Sequence, residues 1–329
     1  MSPLAEMLRE EIRREGPIPF RRFMQASLYD PIHGYYRRER DPFGKHGDFY
    51  TAEQIQPVFG NLMAARVREL CREMGAPPDF TVVELGAGRM EMAEAFSEWR
   101  YVPVDIAEGA LPERFRGVVF CNEFFDALPV HAVTWREGCF RELHVGWDER
   151  FVWVTGERAR HEIADYLRRY FPPPQEGAVF EANLDALNWL ERIARALEAG
   201  FVFTIDYGYT RAESVRFARG TLMSYRAHQA HEDVLEDPGA RDITAHVAFT
   251  ALEEHGARLG LKTIRFETLA QTLLAAGEAD QFAAALAGPT REEESRRRLQ
   301  LKSLLFGMGE TFRTLIQRAG GATAGPATK

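Results

Sequence analysis

Two segments carry residues whose types and spacing could do chemistry, and the first is VVELGAGRM. Glu84 ends a predicted β-strand, Gly86 and Gly88 follow in a predicted tight turn, and a helix is predicted from Met90. A turn without Cβ atoms lets a ligand approach the backbone, and the free N–H groups at a helix start favour polar ligand atoms. The next predicted strand ends in Asp105, at the spacing of an acid that binds a ribose. Together these residues predict a nucleoside site.

The glycine pattern separates this site from two other nucleotide sites. A dinucleotide fingerprint needs a third glycine where this chain has Glu91, and the sequence contains no Gly-Lys-Ser/Thr phosphate loop. The pattern E-x-G-x-G has no pyrophosphate to hold, and it fits a nucleoside ligand such as S-adenosylmethionine.

The second segment, NEFFDALP, follows the predicted strand VVFC. Ligands of open α/β sheets bind at the carboxyl ends of the strands, so we expect Asn122, Glu123 and Asp126 in the site. Alternatively, Asn122 is a turn residue and Asp126 caps a helix, but strand position and composition together favour function. Asp206 and Tyr207 lie in a further predicted strand, FTIDYGY, and we expect them to line the other side.

The elements that must position these residues predict an α/β fold. From residue 80, short apolar strands alternate with helices, which is typical of parallel βαβ units, and the runs VHAVTW, CFRELHV and FVWV then predict an antiparallel insertion. Before them, Leu4, Met7, Leu8 and Ile12 share one helical face. We predict a helical N-terminal extension over 1–79, a core over 80–270 with an insertion about 130–180, a helical C-terminal module over 271–319 and a disordered tail over 320–329.

The long connection SLYDPIHGYYRRERDPFGKHGDFYTAEQ has two readings. Such a connection is typical of a binding loop or lid, or its aromatic residues simply plug into the core. The sequence leaves both open for Tyr35, Tyr36, Phe43, Phe49 and Tyr50.

Composition restricts the function class. A formal net charge of −8 does not favour nucleic acid, and no apolar run is long enough to span a membrane. The first fourteen residues are too charged for a signal peptide and too acidic for a matrix-targeting peptide. Three scattered cysteines favour a reducing compartment, which we expect to be the cytoplasm.

Other candidate side chains are weaker. His228 and His231 lack a second cluster that would complete a metal site, so we expect no metal. His131 and His246 are expected to pack or form hydrogen bonds, and Cys121 is expected to be a buried structural thiol.

Several motifs together resemble the MidA-type methyltransferases, a family that includes a mitochondrial complex I assembly factor that methylates an arginine. They are, in order, SLYDPIHGYY, GDFYTAEQIQPVFG, VVELGAGRM, CNEFFDALPVH, FTIDYGY, GTLMSYRAH, RDITAHVAF and LKSLLFGMGETF. The resemblance implies a Rossmann-like, doubly wound methyltransferase core with S-adenosylmethionine as methyl donor. It also implies that Gly47, Asp48 and Thr51 help to cover the donor. Relatives usually carry a third glycine at the position of Met90, and more often a glutamate at that of Asp105.

If the acceptor is an arginine, paired carboxylates can hold its guanidinium in two-point hydrogen bonds, and we expect Glu123 and Asp126 to supply that clamp. The expected partners are a protein substrate, by resemblance a NADH dehydrogenase subunit, and a second copy of the chain in a homodimer. An assembly chaperone that has lost catalysis through Met90 and a small-molecule or nucleoside methyltransferase are the alternatives.

Overall fold

The computed structural model describes residues 1–37, 52–105, 109–226 and 229–320. Its helices are α1 (Pro3–Glu15), α2 (Phe20–Tyr29), α3 (Val58–Glu73), α4 (His161–Tyr170), α5 (Leu184–Ala196), α6 (Phe249–Arg258), α7 (Leu269–Glu278), α8 (Ala283–Leu286) and α9 (Arg291–Ser303). Its strands are β1 (Ile18–Pro19), β2 (Phe80–Leu85), β3 (Arg100–Val104), β4 (Phe115–Asn122), β5 (His131–Arg136), β6 (Cys139–Asp148), β7 (Arg150–Arg158), β8 (Val179–Ala182), β9 (Leu197–Tyr209), β10 (Met223–Arg226), β11 (Gln229–His231), β12 (Asp242–Thr244), β13 (Val247–Ala248), β14 (Lys262–Thr268) and β15 (Phe312–Ala319).

The contacts of the chain divide it into two compact units. Unit 1 comprises the described parts of 1–51, 125–188 and 208–250, and unit 2 comprises those of 52–124, 189–207 and 251–329. The domain boundaries drawn from the sequence instead follow the chain continuously, and they stay a prediction.

Unit 2 is built on a sheet in the order β14-β15-β9-β4-β2-β3. The strands β9, β4, β2 and β3 are parallel, and β15 is antiparallel to both of its neighbours. All six residues of β2 are buried, as expected for a parallel strand covered on both faces. Phe59, Phe96, Phe120 and Phe203 belong to one buried cluster that joins α3 to this sheet. The α/β class predicted from the sequence is confirmed.

Unit 1 contains two antiparallel sheets. One has the order β1-β6-β5-β8 with β7 paired to β6, and the other has the order β11-β10-β12. The antiparallel insertion after Pro129 is therefore confirmed in β5, β6 and β7. The short β13 pairs in parallel with Gly208 and Tyr209, the last residues of β9.

Helix α1 shows how the local sequence sets an element. The Ser2 hydroxyl caps its first turn by accepting from the Ala5 N–H at 3.2 Å, and Gly16 ends it with a φ of 86°. Leu4, Leu8 and Ile12 are buried as predicted. The prediction for Met7 is wrong, because the buried face is narrower than the pattern indicated and Met7 is exposed.

Two predicted helical stretches are wrong. Residues 91–98, which follow the glycine turn, form successive turns instead of a helix. Met90 has a φ of 60°, in the left-handed region, so a right-handed helix cannot start there. The segment predicted as helical to residue 319 contains α8 and α9 but ends in β15, which completes the sheet. The predicted disordered tail lies outside the described residues, except for Gly320.

Among the described residues, no helix combines the length and apolar character needed to cross a membrane.

Candidate functional site

The carboxyl ends of the parallel strands in unit 2 bring most predicted site residues to one edge. Leu85 is in register with Val104 and Cys121, and Asn122 is in register with Ile205. The residues that follow these strand ends are consequently neighbours in space. They are Gly86, Gly88, Asp105 and Glu123, and Asp206 and Tyr207 come directly after Ile205 within β9.

The glycine turn is held by backbone hydrogen bonds and one carboxylate. The Gly86 N–H donates to the Val104 carbonyl at 2.8 Å, and the Gly88 N–H donates to Asp105 Oδ2 at 2.7 Å. Gly86 has a φ of 75°, a region that residues with a side chain rarely adopt. A Cβ on Gly86 would lie 3.1 Å from Cδ2 of Phe124, so this position is constrained by both conformation and space.

Asp105 therefore has a structural contact in addition to the ribose contact predicted for it. Its carboxylate fixes the glycine turn through the Gly88 N–H, and the turn and the acid form one unit. This contact explains why an acid suits the end of β3 even before a ligand is considered.

A buried pair of carboxyl groups lies behind the turn. Glu84 is 1% exposed and Glu53 is 7% exposed, and their side chains are hydrogen-bonded to each other. The Tyr101 hydroxyl also donates to Glu84 Oε2. Burial, with nearby acids, raises the pKa of Glu84 to about 7, against the opposing effect of these hydrogen bonds. Burial and the charge of Glu84 raise the pKa of Glu53 as well.

Asn122 is the last residue of β4, and Glu123, directly after it, has an unusual backbone conformation. Glu123 has a φ of 49°, and its N–H donates to the Ile205 carbonyl at 2.9 Å. Its Oε1 accepts from the Ala52 N–H and from Asn122 Nδ2, each at 3.4 Å. Asn122 is 5% exposed, and its Oδ1 has no hydrogen-bond partner among the described residues. Strained residues and unsatisfied buried polar atoms are typical of functional sites.

Strand β9 supplies a further acid. Asp206 is fully buried, and its Oδ1 accepts from the Tyr207 N–H at 3.0 Å. The Tyr207 ring meets the Phe312 ring edge to face, with centroids 5.3 Å apart. Asp206 and Tyr207 thus lie on β9, next to the strand that ends in Asn122, and their role in the site stays a prediction.

The other predicted site residues fall elsewhere. The division between the units passes between Phe124 and Phe125, so Asp126 belongs to unit 1, where it is buried. Gly47, Asp48 and Thr51 lie outside the described residues, as do Phe43, Phe49 and Tyr50. Tyr35 is fully buried, which for this residue confirms the reading that the aromatic residues plug into the core.

Sequence reasoning missed Glu53 and Tyr101 in unit 2, and it missed Tyr29 and Asp242 in unit 1. Glu53 and Asp242 both lie in motifs that carried the family resemblance, GDFYTAEQIQPVFG and RDITAHVAF. The motifs therefore contained a signal, but composition alone could not show which neighbour each acid would meet.

The remaining candidates are structural. Cys121 is fully buried, and burial raises the pKa of its thiol, so the expected structural thiol is confirmed. His131 Nδ1 lies 2.6 Å from Glu142 Oε1 in unit 1. His228 lies outside the described residues, and no group of three or more His, Cys, Asp or Glu side chains within the described ranges could hold a metal ion.

A parallel sheet with a glycine turn after one strand and an acid after the next defines a nucleoside-binding α/β protein. The profile of a family described as S-adenosyl-L-methionine-dependent methyltransferases matches residues 94–267, more than half of the chain. The chain therefore belongs to this family of S-adenosyl-L-methionine-dependent methyltransferases.

Solved structures agree with this assignment. A protein from Burkholderia thailandensis, described as a methyl transferase and bound to S-adenosyl-homocysteine, is 31% identical, with a TM-score of 0.85 over 95% of this chain and 91% of that chain. A second structure from the same organism is 30% identical, with a TM-score of 0.78 over the same shares. The Rossmann-like methyltransferase fold and S-adenosylmethionine as cofactor are thereby confirmed.

Curated relatives include two proteins of similar name. The protein arginine methyltransferase NDUFAF7 homolog, mitochondrial, of Drosophila melanogaster is 26% identical over 75% of this chain and 68% of its own length. The human protein arginine methyltransferase NDUFAF7, mitochondrial, is also 26% identical, over 77% of this chain and 68% of its own length. The prediction of a cytoplasmic location is wrong, because it conflicts with the mitochondrial designation of these relatives.

The described residues fit the cofactor. The orphaned Oδ1 of Asn122 offers a buried acceptor to a ligand hydrogen bond, and Gly86 and Gly88 leave the turn without side chains. Asp105 could accept from ribose hydroxyls, as the sequence spacing predicts. The acids at this edge suit a cationic sulfonium compound.

Proposed function

We propose that this methyltransferase transfers a methyl group to an arginine of a protein acceptor. The proposal is supported by the names of the fly and human relatives, both protein arginine methyltransferases. It is also supported by the acids at the cofactor edge, because a guanidinium is a planar cation that carboxylates hold through paired hydrogen bonds. The family resemblance adds a NADH dehydrogenase subunit as the acceptor protein.

One observation carries the acceptor chemistry. Glu123 follows β4 in a left-handed conformation, and its N–H donates to the carbonyl of Ile205 in β9, directly before Asp206. Two acids of unit 2 are thus held at neighbouring positions, one just after β4 and one within β9. A carboxylate at Glu123 or Asp206 can orient a guanidinium nitrogen and accept the proton that this nitrogen loses as its bond to the methyl group forms and the bond between sulfur and methyl breaks.

When bound, S-adenosylmethionine supplies an electrophilic methyl group for an in-line displacement by nitrogen. The chain needs no covalent intermediate. Gly86 and Gly88 would hold the donor, with Glu84, Asp105 and Asn122 beside them. Glu123 would keep the acceptor nitrogen on the line of attack and accept a hydrogen bond from it, while Asp206 and Tyr207 line the opposite side. Asp126, which the sequence analysis pairs with Glu123, belongs to unit 1, and its place in the acceptor site stays a prediction.

The test is the substitution Glu123→Gln, which removes the charge and keeps the size. We expect methyl transfer to a recombinant acceptor protein to fall about 100-fold, the loss typical of a removed electrostatic contact, while donor binding by calorimetry persists. Glu94→Gln, an exposed acid of the same unit, is the matched control. Unchanged turnover in Glu123→Gln would remove this residue from the mechanism.

Donor binding also separates the proposed enzyme from an assembly chaperone that has lost catalysis. We expect S-adenosylmethionine to raise the thermal unfolding temperature, because a ligand that binds only the folded state stabilises it. An unfolding temperature that does not change with added donor would favour the assembly chaperone. The homodimer stays a prediction, to be checked by light scattering.

A further inference from the structure

Unit 1 contains a cluster of two buried acids and two tyrosines that the cofactor edge does not account for. Asp126 and Asp242 are each 3% exposed. The Tyr36 hydroxyl donates to Asp242 Oδ1 at 3.0 Å, and the Tyr36 and Tyr29 rings stack with centroids 5.6 Å apart. We call these four residues the acid–tyrosine cluster.

The fold holds the cluster from several directions. Tyr29 ends α2, and its hydroxyl donates to the Ala127 carbonyl at 2.7 Å. The Ala245 N–H donates to the Asp126 carbonyl at 3.0 Å, which joins Asp126 to the residue after β12. Asp242 begins β12 and is in register with Tyr225 of β10. Tyr29 and Asp242 are therefore part of regular structure, and Asp126 is tied by its backbone to the end of β12.

The charges of Asp242 and Asp126 both act on the Tyr36 hydroxyl. Burial raises the pKa of Tyr36 well above its ordinary value, and the negative charges of Asp242 and Asp126 raise it further. Two carboxylates that both act on one hydroxyl also repel each other when ionised. A cation bound near the two acids would offset that repulsion, whereas an anion or a neutral apolar group would not.

A separate observation points to a ligand. Thr244 is 3% exposed, and its Oγ1 has no hydrogen-bond partner within the described part of the chain. Side chains two apart on a strand share one face, so Thr244 lies on the face of Asp242. A buried hydroxyl without a partner costs free energy, and a ligand N–H would satisfy it.

We propose that the acid–tyrosine cluster binds a guanidinium group of the polypeptide acceptor. This inference rests on the proposed function and adds a site to it. A guanidinium presents several N–H donors in one plane, which matches two carboxylates and a hydroxyl, and its flat face stacks on tyrosine rings. Tyr29 and Tyr36 are half-buried, whereas the two acids are buried. An ammonium group matches less well, because it is a compact point charge without a stacking face.

The test measures binding of acetyl-L-arginine amide to the full chain by NMR titration, with S-adenosylhomocysteine present. We expect Asp242→Asn to weaken binding at least tenfold, because a charged hydrogen bond is lost. Asp165→Asn, an exposed acid of the same unit, is the matched control and should change nothing. Acetyl-L-lysine amide should bind at least tenfold more weakly than the arginine compound. Binding of S-adenosylhomocysteine should stay the same in both variants.

A second variant covers the case in which Asp242→Asn fails to fold. Thr244→Val replaces a hydroxyl by a methyl group of similar size, and we expect it to weaken arginine amide binding about threefold or more. Equal binding in Thr244→Val and the wild type would overturn the proposal, as would equal binding in a folded Asp242→Asn. Equal affinity for the lysine compound would also overturn it.

These outcomes are separable from those of the proposed function. If an arginine of a recombinant acceptor is methylated at the same rate and the same KM by Asp242→Asn, the arginine activity stands and the cluster is refuted as an acceptor site. If the arginine amide binds in the way described but the enzyme methylates no arginine, the cluster stands and the proposed acceptor chemistry is refuted.

Discussion

The buried carboxyl pair of unit 2 makes a quantitative prediction about stability and pH. Glu84 has an ordinary pKa of 4.5 and a pKa of about 7 in the folded protein. Each unit of difference between these two pKa values corresponds to about 1.36 kcal/mol, so ionising Glu84 costs about 3 kcal/mol more in the folded than in the unfolded chain. The cause is burial beside Glu53 in a site that is almost closed to water.

The direction follows from proton counting. Between pH 4.5 and about 7 the unfolded chain has already lost the Glu84 proton while the folded protein still holds it. The contribution of Glu84 to the free energy of unfolding therefore falls as the pH rises from 4.5 to about 7, and it levels off above pH 7. The substitution Glu84→Gln removes this dependence. Its amide can still accept from the Tyr101 hydroxyl and donate to Glu53.

We expect Glu84→Gln to be more stable than the wild type at pH 8 by about 3 kcal/mol or somewhat less, with the difference shrinking towards pH 5. The assay is urea unfolding between pH 5 and 8, without donor. Glu94→Gln serves as control, because its side chain is exposed. A constant difference between Glu84→Gln and the wild type across this range would refute the raised pKa of Glu84.

Three further substitutions test the cofactor edge. Gly86→Ala should cost about 1–2 kcal/mol of stability because of its left-handed φ, and it should abolish donor binding measured by calorimetry. Gly75→Ala is the control: Gly75 has a similar φ of 79°, but a Cβ there would meet open space. This control should lose stability and keep donor binding. If both lose donor binding, the turn does not face the ligand. Met90→Gly removes a methionine with a left-handed φ, and it should change stability by less than about 1 kcal/mol and donor affinity by less than threefold. A tenfold higher affinity of the variant for the donor would show that Met90 impairs the site. Asn122→Leu removes a buried acceptor without a partner, so it should stabilise the donor-free protein by about 1 kcal/mol and weaken donor binding at least tenfold. Unaltered donor affinity would contradict a role of Asn122 in donor binding.

The parts of the fold with strong local patterns were predictable. Continuous apolar runs gave β2, β4 and β9, and the acids and glycines at their ends indicated the cofactor edge. The register of parallel strands then brings these ends together, so Glu84, Gly86 and Asp105 could be assigned as a group without coordinates.

The errors have physical causes. Met92 and Phe96 are four residues apart and both fully buried, which imitates a helical face, but the left-handed Met90 before them prevents a helix start. Strand β15 is buried along almost its whole length, and a short run of that kind does not distinguish a buried strand from a buried helix.

The pairing of Glu53 with Glu84 could not be predicted for a different reason. It depends on how the turn at Ala52–Gln54 packs behind the glycine turn, and no periodic pattern encodes such a contact between distant segments.

The place of β15 has a consequence for how the protein is made. This strand lies between β9 and β14, and its partner β9 precedes it by about a hundred residues. Until the ribosome has delivered Phe312–Ala319, the side of β9 that β15 covers in the finished sheet stays open, and its N–H and C=O groups can pair with other chains. Fragments that stop before Phe312 should consequently aggregate, and chaperones that shield bare strand edges should engage this polypeptide late in its synthesis.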